Sequence, residues 1–298
     1  MQLTVDLARR RLEVTIKEEF MNSLRDLTSS MRALDVVPRR KLRSYTGKAN
    51  HVANLLPVWR PFLDSLYAAI YSPQDGGCPV NCVWVKQIQH ALEWIAIFLE
   101  NYRGVCKRVF DFDVFLCRTG AIAFCVDASP WGLGGLLLVD GDITEFFASE
   151  LSCFDTERFS VSRGDPAGQQ VWEALACLVA MRLWASRWSE ARLRLEVRGD
   201  SVAMLSLVVG LRPRGPGLGL IAKELALCAA LSPYTPVVAS HVPGVANVFC
   251  DSLSRLAMDN KRYAIPAALS SVKRADVPLR DDAWWLSLQP PPVPAREG

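Results

Sequence analysis

From residue 171 to residue 185 the chain is almost continuously apolar, and only Glu173 and Arg182 carry charge there. A helix that is apolar nearly all round belongs in an interior. A carboxylate placed there costs on the order of several kcal/mol unless something pairs with it or binds it. Nine positions separate Glu173 from Arg182, about two and a half turns, which is too far for pairing along one helix. The segment therefore predicts a covered core and a cation, metal or distant basic group, brought to Glu173.

The neighbouring segments place further acids at the ends of apolar elements. Residues 121–126 form a continuous apolar run, as in a central strand covered on both faces, and Asp127 ends it. Gly132, Gly134 and Gly135 precede a second apolar strand, Asp140-Gly141 is a two-residue hairpin signal, and residues 142–149 make a third strand. Beyond the buried helix, Leu193, Leu195 and Val197 alternate with Arg194, Glu196 and Arg198, a half-exposed strand ending at Gly199-Asp200. Helices are expected over residues 201–209 and 218–231, and a last strand over 236–240. A final helix, capped by Asn247, is expected to run to about Met258. Asp251 falls in its first turns, and His241 stands ten positions before it. Taken singly, Asp127 reads equally well as a turn former, and Asp251 as a complement to the helix dipole.

The order is strand, strand, strand, helix, strand, helix, strand, helix, and it resembles the ribonuclease H domain of retroelement reverse transcriptases. The residues that carry the resemblance are Asp127-Ala128-Ser129 with its trailing glycines, Glu173, Asp200-Ser201 and a last block. That block, His241-x-Pro243-Gly244-x-x-Asn247-x-x-x-Asp251-Ser252-Leu253-Ser254-Arg255, is the most specific. The resemblance implies an α/β fold, a ribonuclease H-like mixed five-stranded sheet flanked by helices. It implies Asp127, Glu173, Asp200 and Asp251 as catalytic carboxylates and metal ligands, with His241 as a mobile helper. Two departures stand out: Arg198-Gly199 precedes Asp200 where relatives usually carry Thr or Ser, and residues 212–217 replace a basic helical handle.

Acids are the residue type such chemistry needs. Hydrolysing a phosphodiester requires neutralising charge on the attacking water and on the leaving oxygen, which two divalent ions roughly 3.5–4 Å apart achieve. Mg2+ or Mn2+, expected here as two ions, takes oxygen ligands and needs only a few carboxylates beside the substrate phosphate. An imidazole such as His241 can relay a proton near neutrality. The cysteines near these elements show no zinc spacing, and no glycine-rich phosphate loop is present.

The first third reads differently. Residues 4–7 and 12–16 look like a hairpin, and residues 17–34 like an amphipathic helix with Phe20, Leu24, Leu27, Met31 and Leu34 on one face. Arg39, Arg40, Lys41, Arg43 and Lys48 crowd the start of a helix running toward Asn54 and are the candidate nucleic-acid contacts. This region resembles the thumb and connection of retrotransposon reverse transcriptases. The expected organisation is a smaller, mostly helical thumb/connection domain over 1–115, a ribonuclease H-like domain over 116–262 and a Pro-rich tail over 263–298. Asp281-Asp282 is expected to be solvated tail charge, and Asp111 and Asp113 structural. A polymerase palm with paired aspartates on a hairpin is not recognisable, so a palm on another chain is a possible partner beside the RNA–DNA hybrid.

Net charge is +3, so nucleic-acid binding must come from local patches. No apolar run approaches the eighteen or so residues of a membrane span, and nine cysteines without a compact pattern suit a reducing, intracellular setting, cytoplasmic or nuclear. The favoured expectation is a metal-dependent endonuclease that cuts the RNA strand of an RNA–DNA hybrid. The alternative is a catalytically silent retroelement-derived module that binds nucleic acid or protein. A structure-specific nuclease or integrase of the same fold is less well matched, because those families space their acids differently.

Overall fold

The computed structural model describes residues 1–74, 76–102, 105–116, 120–188, 193–215, 217–231, 237–258 and 263–292. The chain divides into two compact units, Met1–Phe110 with Ser287–Gly298, and Asp111–Leu286.

In the first unit β1 (Gln2–Asp6) and β2 (Arg11–Thr15) form an antiparallel hairpin, with Leu3 opposite Val14 and Val5 opposite Leu12. Helix α1 (Glu18–Arg32) buries Met21, Leu24, Thr28 and Met31. This corrects the expected stripe: Phe20 and Leu27 are only half-buried and Leu34 is exposed. The face is rotated because polar Thr28 can lie inside. Its hydroxyl donates to Leu24 O at 2.7 Å and meets the Tyr45 hydroxyl at 2.8 Å. Strand β3 (Val36–Pro38) leads into α2 (Arg39–Leu55) and α3 (Arg60–Tyr71), and β4 (Cys82–Trp84) returns antiparallel to β3. Helix α4 (Gln89–Leu99) supplies Trp94 and Phe98, which pack with Trp59 and Phe62 in an aromatic core; Phe62 and Phe98 meet edge-on at 4.9 Å. Strand β5 (Lys107–Asp111) extends the hairpin into a three-stranded sheet. Ser287 O accepts from the Trp94 indole at 2.9 Å, so the chain returns to this unit at its end.

The second unit opens with the short helix α5 (Phe112–Phe115), whose first amides are capped by Asp111, as expected of a structural acid. The meander follows: β6 (Ala121–Ser129), β7 (Gly132–Val139) and β8 (Asp142–Glu150), antiparallel throughout. The turn between β7 and β8 holds Asp140 at φ 51° and Gly141 at φ 96°, the positive values that the Asp-Gly pair predicts. A seven-residue helix absent from the sequence reading, α6 (Cys153–Phe159), starts on a reciprocal cap between Ser152 and Asp155. Then come α7 (Gln169–Leu183), β9 (Arg194–Gly199), α8 (Val202–Gly210), α9 (Leu218–Leu231), β10 (Val237–His241) and α10 (Val248–Ser254). Pro236, expected to open the last strand, lies outside the described residues.

The sheet order is β10-β9-β6-β7-β8-β11, with β9 parallel to both β6 and β10. The five expected strands stand in the expected ribonuclease H-like arrangement, mixed and flanked by helices. A sixth is added: β11 (Lys273–Arg274) pairs parallel to β8. It comes from the segment read as a tail, which is packed in place up to Leu286. There Arg280, 3% exposed, makes a two-pronged ion pair with fully buried Asp155 at 2.7 and 2.6 Å, and Trp285 is 1% exposed. Asp281 and Asp282 are engaged too: the first caps Trp284 N–H, and the second pairs with Arg158. No helix among the described residues is long and apolar enough to cross a membrane.

Candidate metal centre

Helix α7 is buried over nearly its whole length, as its composition demands, and it carries Glu173 to within reach of β6. Arg182 has a different partner: it pairs with fully buried Glu224 of α9 and lies over the Trp284 ring at 4.1 Å. Among the described residues no basic side chain pairs with Glu173. Its Oε1 accepts from the Gln169 amide at 2.7 Å, and its Oε2 is buried with no hydrogen-bond partner among the described residues.

Asp127 lies in β6 opposite Gly134 of β7 and is 5% exposed. Its Oδ2 accepts from Ser254 Oγ of α10 at 2.7 Å. Asp200 follows the last residue of β9, and its Oδ1 is also buried without a partner. Ligand oxygens of Asp127, Glu173 and Asp200 all lie within 4.8 Å of one another. Gly199, just before Asp200, lets β9 approach closely. A Cβ there would stand 3.3 Å from Val126 O and 2.7 Å from the mobile end of the Met204 side chain, a tight fit that glycine avoids.

The electrostatics follow from the crowding. Burial, reinforced by the neighbouring charges of Asp127 and Asp200, raises the Glu173 carboxyl to about 9. Burial, with Asp200 and Asp251 adding to it, raises Asp127 to about 7, against the opposing hydrogen bond from Ser254. Three acids are held close, and the two buried ones carry the raised values.

The other two predicted residues stand outside this trio. Asp251 is in the first turn of α10, half-exposed, and accepts from Arg255 Nε at 2.7 Å. It still contributes to the field that raises Asp127. His241 is the exposed last residue of β10, across the ladder from Gly199 and thus one position from Asp200. Asn247 occupies the N-cap position of α10 but does not cap it. Its amide donates to Val126 O at 3.2 Å and its carbonyl accepts from Cys125 Sγ at 3.2 Å, tying α10 to β6. The helix is also shorter than expected, ending at Ser254.

Glycines make room for that helix. At Gly134 a Cβ would meet Cys250 O at 2.6 Å and Leu253 Cβ at 2.7 Å; at Gly132 it would meet Ser254 O at 2.8 Å. Gly132 and Gly134 of the first motif are therefore the seat of α10. An open cleft beside the trio is lined by Pro166, Gln169, Gln170, Glu173, Asp200 and Ser201, among others.

The basic cluster lies in the first unit and is not uniform. Arg39 donates to Ile70 O at 2.7 Å and Ser72 O at 2.8 Å, closing the carbonyl end of α3. Arg40, Lys41 and Arg43 are exposed, Arg43 lying 6.0 Å from the centre of the Tyr71 ring, and Lys48 is half-buried.

No protein-family profile matches the chain, and no curated protein sequence does. Among solved structures, a ribonuclease H1 from Halobacterium salinarum NRC-1 is similar at 21% identity and a TM-score of 0.36, covering 48% of this chain and all of its own. LC11 ribonuclease H1 in complex with an RNA/DNA hybrid is similar at 18% identity and a TM-score of 0.36, over 47% of this chain and 97% of its own. A foamy viral protease-reverse transcriptase in complex with double-stranded DNA is similar at 13% identity and a TM-score of 0.29, over 80% of this chain and 38% of its own.

Proposed function

We propose that this chain is a divalent-metal-dependent endonuclease that hydrolyses the RNA strand of RNA–DNA hybrids, equivalent to the C-terminal part of a retrotransposon reverse transcriptase. The observation that carries the reading is the convergence of Asp127, Glu173 and Asp200, with two of their oxygens buried and unpartnered. Three carboxylates so placed repel one another, which a silent binding module has no reason to maintain. A hard divalent cation fits this donor set, because all the donors are carboxylate oxygens and the cleft beside them is open.

Asp127, Glu173 and Asp200 would hold Mg2+ or Mn2+, and Asp251 would complete the set from the rim of the site. Two such ions would supply charge neutralisation on the attacking water and the leaving oxygen. The chain's own residues orient the rest. The open cleft, lined by Gln170 and Ser201 beside Glu173 and Asp200, would admit the scissile phosphate. Attack of water on phosphorus breaks the bond to the 3′ oxygen, leaving a 5′ phosphate and a 3′ hydroxyl. His241, at the exposed strand end beside Asp200, donates the proton that the departing 3′ oxygen takes up. The unit from Asp111 to Leu286 carries this chemistry. Arg40, Lys41, Arg43 and Lys48 of the other unit hold hybrid phosphates, with Arg39 bracing the helix that presents them.

The test is incubation of the full chain with labelled hybrid in Mg2+ or Mn2+, beside Asp200→Asn. Cleavage of the RNA strand with 3′ hydroxyl ends is expected from the wild type, and none above background from the variant. Cleavage that persists in excess EDTA, or an Asp200→Asn protein as active as wild type, overturns the reading.

A further inference from the structure

The two most buried acids of the site share a feature that their own chemistry does not require. Each has one oxygen tied by a neutral donor from a neighbouring position. Gln169, one turn before Glu173 on α7, points its amide nitrogen at both Ala128 O of β6 and Glu173 Oε1, each at 2.7 Å. One NH2 group thereby joins the helix, the central strand and the carboxylate, and Glu173 Oε2 is the oxygen left free. Ser254, fully buried on the last turn of α10, donates to Asp127 Oδ2 at 2.7 Å. Its backbone carbonyl in turn accepts from Ser129 Oγ at 2.6 Å. The close seat formed by Gly132 and Gly134 brings this turn of α10 to the strand.

We propose that Gln169 and Ser254 are positioning residues of the acidic site, each tying off one carboxylate oxygen so that the other is the one presented to the divalent cation. This inference rests on the metal-dependent reading above and names residues that act through Glu173 and Asp127. Neutral donors suit the task. An amide or hydroxyl fixes the carboxylate's rotation and leaves its charge for the cation, whereas an Arg or Lys at the same distance would compete with the cation for that charge. Asp251 illustrates the contrast: Arg255 holds it, and it stands apart from the trio.

The experiment uses the full chain with Gln169→Met and, separately, Ser254→Ala. Mn2+ binding is measured by calorimetry without substrate, hybrid cleavage is titrated with Mn2+, and thermal stability is recorded in EDTA. Partners that orient ligands in this way are typically worth about 10–100-fold in metal affinity. Each variant is therefore expected to bind Mn2+ about 10–100-fold more weakly, while its rate at saturating Mn2+ returns toward wild type. Lower stability with unchanged Mn2+ affinity in either folded variant would show a merely structural role and overturn the inference, leaving the nuclease reading intact. The two substitutions lie on different elements, so failure of one to fold leaves the other to decide. A wild type that neither binds Mn2+ nor cleaves hybrid would overturn the functional reading and this inference with it.

Discussion

Replacing Glu173 by Gln should stabilise the metal-free protein and sharply weaken its response to metal. Glu173 is 6% exposed, and its carboxyl is raised from an ordinary 4.5 to about 9. Because the folded state keeps this proton to higher pH than the unfolded chain does, the group costs nothing below about pH 4.5. The cost then grows as pH rises toward 9. A pH of 7.5 lies about three units above the group's ordinary value, and at about 1.4 kcal/mol per unit the cost has an upper figure near 4 kcal/mol. Glutamine removes that cost and still accepts from Gln169, but it places an amide where Oε2 had no partner, a loss of about 1–3 kcal/mol. The net gain is about 2 kcal/mol, or roughly 4–8 °C in melting temperature for a domain of this size. Melting curves in EDTA at pH 7.5 should show that gain, and at pH 4.5, where only the amide's loss of about 1–3 kcal/mol remains, the variant should be the less stable of the two. With Mn2+ about 100-fold above its dissociation constant the wild type gains about 2.7 kcal/mol, and the variant, short of a ligand, gains much less, so the order of stabilities reverses. A variant less stable than wild type in EDTA at pH 7.5, or equally stabilised by Mn2+, would refute the idea that this carboxylate is kept at a cost for a cation.

Three other outcomes follow from the same geometry. His241→Ala should slow hybrid cleavage by about 10²–10⁴-fold without changing Mn2+ affinity by calorimetry, since the imidazole stands outside the carboxylate trio; a collapse of metal binding would make it a ligand. Charge reversal at Arg40, Lys41, Arg43 and Lys48 should weaken hybrid binding and flatten its salt dependence by about 0.9 log units per decade for each phosphate no longer neutralised, on the B-form scale. An unchanged slope would remove this helix from the nucleic-acid surface. Arg280→Ala should destabilise by about 3–5 kcal/mol in denaturant unfolding, because Asp155 is left charged and fully buried; a loss under about 1 kcal/mol would mean the C-terminal segment is dispensable.

The acids of the site were legible because interior carboxylates are conspicuous. Glu173 in an apolar helix and Asp127 at the end of an apolar run each mark a place where burial opposes charge. The spacing of His241, Asn247 and Asp251 added a local pattern. Their support was not legible. Gln169 and Ser254 are ordinary polar residues in sequence; Ser254 reaches a carboxylate 127 positions away, and Gln169 joins Glu173 of its own helix to a strand carbonyl 41 positions earlier. Asn247 looked like a helix cap because capping is the commonest use of Asn before an apolar stretch. A nearby strand carbonyl, Val126 O, took the amide instead.

The same limit explains Arg39 and the C-terminal segment. Arg39 reads as one of five clustered cations, yet the carbonyls of α3 about thirty positions later claim its guanidinium. Residues 263–286 have neither helical nor strand periodicity, and Pro266 and Pro278 interrupt them, so composition alone suggests a tail. What holds them is a small number of long-range side chains: Arg280 on Asp155, 125 positions away, and Trp285 in the interior beside Phe159. A segment anchored in this way leaves no periodic trace, because its partners belong to other elements. Its signature would have been compositional at a finer grain. Arginine and paired tryptophans within one short proline-flanked stretch are costly to leave in water and useful to bury, and that combination argues for docking wherever a domain with an unpaired sheet edge precedes it. The edge strand β8 supplied that edge, and Lys273 and Arg274 took it.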